Sequence, residues 1–195
     1  MKKKYFFRLS LQTRKWFYMP MLPLILAAVC PILPAQEKEV PAAGHSREAI
    51  LEAAREIIGQ QKYCALITLD FSGKPQARTM NPFPPEEDMS VWMATNSRSR
   101  KVEEIRKNPQ VTLYYADHSQ ATGYVAISGR AILVDDMAEK QKRKREYWTQ
   151  AFPDWKYLLL IKVIPERLEV INYKRQMTGE KVTWRMPSVE FSAKP

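Results

Sequence analysis

Residues 94–101 read Ala-Thr-Asn-Ser-Arg-Ser-Arg-Lys and lie between an apolar run, Met-Ser-Val-Trp-Met, and a segment with helical spacing. Thr95, Ser97 and Ser99 offer hydroxyls, and Arg98, Arg100 and Lys101 offer positive charge. A helix starting near Lys101 adds N–H groups that have no partner inside the helix. Phosphate oxygens call for this mixture, because they need directional donors as well as charge. Each charge-assisted hydrogen bond contributes about 1.5–3 kcal/mol net. Three or four of them supply much of the roughly 8 kcal/mol that micromolar binding requires. The competing reading is a solvated basic loop.

Arg78 adds weight to the anion. In the strand Gln-Ala-Arg-Thr-Met, Arg78 and Met80 share one face while Ala77 and Thr79 share the other. An arginine turned into a barrel needs an anion, whereas one on an edge strand points into water. Other chemistries find little support. The chain has two histidines, His45 and His118, with no acid or cysteine cluster at ligand spacing, so neither a metal site nor a Ser-His-Asp arrangement is expected. Cys64, Trp92, Trp148 and Trp155 read first as core or interface residues.

The elements that must position these residues follow from periodicity. Ser46 caps an amphipathic helix whose Ile50, Ala53, Ala54, Ile57 and Ile58 share a face, with Gly59 as its stop. Residues 63–70 and 75–83 form a hairpin, 89–95 a strand, and 100–107 a short helix with Val102 and Ile105 inside. Strands follow at 111–117 and 123–136, the second bent at Gly129. A helix over 137–152 puts Met137, Gln141, Trp148 and Phe152 on one face, and its basic run Glu-Lys-Gln-Lys-Arg-Lys-Arg-Glu reads as a solvated surface. Residues 157–165 and 167–173 give two further strands, and 181–186 a last edge strand. The sum is a mainly β, α+β antiparallel barrel carrying helices.

The first 35 residues do not belong to that barrel. Six cations and no acid precede the apolar run Phe17–Leu33, which ends near Pro34-Ala35. This pattern reads as a signal peptide for export, periplasmic or extracellular, with 36–45 as a flexible tether and 46–195 as the domain. Pro20, Pro23 and Pro31 disfavour a stable spanning helix. A lipid anchor at Cys30 is the lesser alternative. Setting the leader aside leaves 25 basic residues against 21 acidic ones, a net +4 that offers no argument for nucleic acid. Cys64 is then the sole cysteine, so the fold holds without a disulfide.

The order of elements, and above all Thr95, Ser99 and Lys101 followed by Glu-Ile, Asn-Pro, Val, Leu and Tyr in register, resembles the pyridoxamine-phosphate-oxidase-like flavoproteins, in the branch of the general stress proteins. The resemblance covers about residues 47–172. It implies a split β-barrel homodimer with FMN in clefts between subunits and an oxidoreductase acting on a small molecule. By matching position, Arg78, Thr79 and Met80 line the ribityl chain and one flavin edge, Thr95, Ser99 and Lys101 hold the phosphate, and Arg100 stands beside them. Tyr115 and the strand around Ser128 reach the ring from the facing subunit. Trp184 and Arg185 fit either the flavin or an edge strand. The basic tail of the true oxidase is not recognisable. The alternatives on the same barrel are a flavin carrier without turnover, or a protein that binds haem or a deazaflavin.

Overall fold

Ser46 caps the first helix by accepting a hydrogen bond from the Ala49 N–H at 3.2 Å, and α1 (Arg47–Gly59) buries the five residues that its spacing marks as inward. The computed structural model describes residues 44–192. The leader, its cleavage point, Cys30 and nearly all of the tether lie outside the described residues. Among the described residues, no helix is long and apolar enough to cross a membrane.

Seven antiparallel strands form one curled sheet: β1 (Cys64–Leu69), β2 (Pro75–Met80), β3 (Val91–Asn96), β4 (Gln110–Ala116), β5 (Gly123–Val134), β6 (Leu158–Asn172) and β7 (Ser188–Glu190). The order is β2-β1-β4-β5-β6-β3, with β7 paired to the far half of β6. Inward residues of every strand, together with the buried face of α1, make one apolar core. The two edges of the sheet meet at a single bridge between Pro82 and Met93, just past the end of β2, where the Phe83 N–H also donates to the Trp92 carbonyl at 2.8 Å. Beyond that point β2 and β3 diverge, and α2 (Arg100–Lys107) covers this end of the barrel.

The bend expected at Gly129 is present, because the pairing of β5 with β6 shifts register between Ser128 and Gly129. Three other expectations are corrected. The segments 157–165 and 167–173 are one continuous strand, β6. Its Pro165 sits opposite Gly129, at the irregularity where a proline's missing N–H costs the ladder least. The helix expected over 137–152 is two short ones, α3 (Met137–Lys142) and α4 (Trp148–Ala151).

Arg143 and Arg145 explain the break. Arg143 stacks 3.7 Å from the Trp92 ring centroid and donates to Glu86 at 2.8 Å. Arg145 stacks 3.8 Å from the Phe83 centroid and donates to Asn81 Oδ1 at 2.7 Å and to the Pro82 carbonyl at 2.8 Å. In an unbroken helix these two side chains would leave the axis roughly 200° apart and could not reach the same surface. Met137 is exposed and Lys140 is buried in its place, paired with Asp135. Residues 181–186, lastly, are not a strand. The Glu180 carboxylate accepts from the N–H groups of Val182 and Thr183, at 3.0 and 2.6 Å, and folds them into a turn, so β7 supplies the edge instead.

Candidate functional site

The barrel end under α2 is lined by polar residues at inward positions. On β1, Cys64, Leu66 and Thr68 alternate inward. On β2, Met80 enters the core and Arg78 shares its face. On β3, Val91, Met93 and Thr95 alternate likewise. Thr68, Arg78 and Thr95 therefore stand at one end of the barrel, below a helix whose Lys101, Glu104 and Ile105 are a turn apart on a common face.

Two linked clusters result. In the first, Glu104 has no exposed side-chain surface, and its Oε2 accepts from Thr68 Oγ1 at 2.5 Å and from Arg78 at 2.9 Å. Arg78 also donates to Thr68 Oγ1 at 2.6 Å. Glu104 Oε1 lies 3.0 Å from Arg100 Nε but outside hydrogen-bond geometry. In the second cluster Lys101 donates to Thr95 Oγ1 at 3.1 Å, and Thr95 Oγ1 lies 3.3 Å from Ser99 Oγ. Ser99 is the N-cap of α2, yet its side chain caps no N–H of the helix. Lys101 enters no ion pair among the described residues. Its pKa is lowered by burial first and by the neighbouring Arg78 charge second, with Glu104 acting the other way. The Glu104 carboxyl is held below its ordinary range: burial pushes it up, but the bonds from Thr68 and Arg78 and the Arg100 charge outweigh that.

This arrangement can hold an anion. A half-buried ammonium faces hydroxyls instead of a carboxylate, with the Thr95-bonded Ser99 hydroxyl beside it and a second cation close by. α2 begins at this same junction, and a helix start carries N–H groups without partners inside the helix.

Of the residues singled out from sequence, Arg78, Thr95, Ser99 and Lys101 come together here. Arg100 stands at the rim, two-thirds exposed, with its guanidinium on Glu104 and on Gln76 Oε1 at 3.2 Å. Met80 is packed into the core, and Thr79 is exposed on the opposite face of β2. Arg98 turns away, lying 3.7 Å from the Tyr157 ring centroid and donating to its hydroxyl. Trp184 lies on the exposed 181–186 turn, and Arg185 beside it is exposed too. One reading is corrected. Tyr115 has no exposed surface and points into the barrel, so it cannot reach a facing subunit; the alternation of β4 turns Tyr114 outward in its place.

Sequence reasoning missed Thr68 and Glu104. Both were legible in principle, since Thr68 continues the inward alternation of β1 and Glu104 sits three residues after Lys101 and next to Ile105. The rule that charged helix residues face water concealed Glu104.

Comparison with known proteins gives relatives by sequence and by fold. The family model for pyridoxamine 5'-phosphate oxidase matches residues 50–172. General stress protein 26 of Bacillus subtilis is 26% identical over 141 residues, which is 70% of this chain and 94% of that one. The crystal structure of general stress protein 26 from Bacillus anthracis superposes with a TM-score of 0.54 at 26% identity, covering 62% of this chain and 92% of the other. A pyridoxamine 5'-phosphate oxidase-related, FMN-binding protein from Nostoc punctiforme shares the fold with a TM-score of 0.50 at 18% identity, over 76% and 97% of the two chains.

Proposed function

We propose, for a chain that belongs to the pyridoxamine 5'-phosphate oxidase family, that the barrel-end cleft binds FMN by its phosphate and that the protein is an FMN-dependent oxidoreductase. The observation that carries this reading is Lys101, a half-buried ammonium bonded to a hydroxyl and paired with no carboxylate among the described residues. A phosphate between Lys101, Thr95, Ser99 and the start of α2 would satisfy every one of these groups. It would also offset the repulsion between Lys101 and Arg78.

When bound, FMN supplies the electron- and hydride-transfer chemistry. The chain's own residues bind and orient. Lys101, Thr95 and Ser99 grip the phosphate, and Arg78, held by Glu104 and Thr68, brings a fixed positive charge alongside. The substrate is a small molecule. We also take the active form to be a homodimer, exported after loss of residues 1–35. The first of these rests on the resemblance and the second on the basic-then-apolar leader.

The test compares two ligands. Lys101→Ala removes a charge-assisted bond of about 1.5–3 kcal/mol, so FMN affinity should fall roughly 10- to 150-fold. Riboflavin, which lacks the phosphate, should lose almost nothing. Equal losses for the two would sink the assignment. The absorption spectrum of the purified protein separates flavin from haem, and reduction by NADH or NADPH separates an enzyme from a carrier.

A further inference from the structure

Away from the phosphate cleft, a cavity of about 400 Å³ opens between the end of α1 and the segment that follows β2. Ile58, Phe83, Pro84 and Pro85 supply apolar walls, and the buried ring of Tyr115 lines it from the barrel side. None of Arg78, Thr95, Ser99 and Lys101 contributes to it.

Its charges are one-sided. Arg55, Lys62 and Arg145 line the cavity and no acidic residue does. Arg55 donates to the carbonyls of Pro85, Glu86 and Glu87, and Arg145 to Asn81 and the Pro82 carbonyl. These partners carry no formal charge, so both guanidiniums keep theirs uncompensated. Lys62 lies over the Tyr63 ring, and among the described residues none of the three cations enters an ion pair.

We infer that this cavity is a second binding site, for a small anionic molecule with an apolar or aromatic body, such as an arene carboxylate. The apolar walls take the ring, and the three cations at the rim take the carboxylate. The volume falls within the range of small-molecule sites. The inference goes beyond the flavin reading and does not rest on it.

The experiment uses the full chain and a matched pair of probes, 2-naphthoate and the neutral 2-naphthamide, titrated by calorimetry. Naphthoate should bind at least roughly tenfold more tightly than the amide, and the gap should narrow as salt screens the rim charges. Lys62→Glu should remove most of the preference. Gly59→Phe supplies the steric test. Gly59 lines the cavity, and a Cβ there meets nothing within 4 Å, so the ring should fill the space and abolish binding with the thermal midpoint intact. If Gly59→Phe does not fold, the Lys62→Glu comparison decides alone. Lys101→Ala should leave naphthoate binding unchanged. Equal affinities for the two probes, absence of binding, or loss of naphthoate binding in Lys101→Ala would each overturn the proposal. The last result would place the anion in the phosphate cleft instead.

Discussion

Glu104 accepts from Thr68 and Arg78 on one oxygen and approaches Arg100 with the other, all from a position with no exposed side-chain surface. A buried charge is tolerated only when paired, so removing one partner strands the others. Glu104→Ala should cost about 3–5 kcal/mol in urea titrations and should loosen FMN by freeing Arg78. Glu104→Gln keeps the shape and should cost less. The pH dependence carries a sign. The folded carboxyl sits below its ordinary range, so its contribution is complete above the unfolded value of about 4.3 and drains as pH falls through the folded value. Glu104→Gln should therefore flatten part of the acid limb of stability. Glu56, lowered to about 2 by Lys174 and Arg175, also loses its share on the acid side. Its partner Lys174 is largely exposed, so salt should weaken that share more than the share of Glu104. An acid limb unchanged in Glu104→Gln at high salt would contradict the role given to this carboxylate. From sequence, Arg78 showed that it needed an anion but not which one, because the answer depends on a helix 26 residues further along the chain.

At the scale of elements, two glycines show how differently the fold uses the same residue. Gly129 stands at the register shift of β5, and a Cβ there would lie inside the van der Waals envelope of the Ile164 carbonyl oxygen. Gly129→Ala must push β5 from β6 at the bend that curls the sheet, a cost of about 1–3 kcal/mol or more. Gly59 is helical with open space around it, so Gly59→Ala should stabilise by roughly 0.5–1 kcal/mol. Opposite shifts in the midpoint of chemical unfolding check the pair; shifts of the same sign would refute it. The bend at Gly129 was legible because a glycine in an apolar strand has few other uses. The break between α3 and α4 was not legible. Basic runs have helical propensity, and only the positions of Trp92, Phe83 and Glu86 in space draw Arg143 and Arg145 inward.

For the molecule as a whole, the sheet closes at one bridge and stays split beyond it, with outward residues on β4 and β5 that include Tyr114 and Tyr124, their rings 5.4 Å apart. A homodimer is the proposed active state, and sedimentation of the purified domain should give twice the mass of one chain. A monomer that binds FMN at full affinity would refute the shared cleft. The net charge of +4 without the leader is too small to prevent association.

The sequence by itself determined the opening helix, most strands of the barrel and the strand–helix junction where Thr95, Ser99 and Lys101 meet. Those depend on alternation, capping and residues within one strand–helix junction, which local chemistry encodes. Tertiary structure alone decided that Arg78 answers to Glu104, that Tyr115 is sealed inside and that three uncompensated cations surround one cavity. Each of these joins residues from separate strands and helices, and burial, which sets the worth of a charge, exists only once those elements have packed.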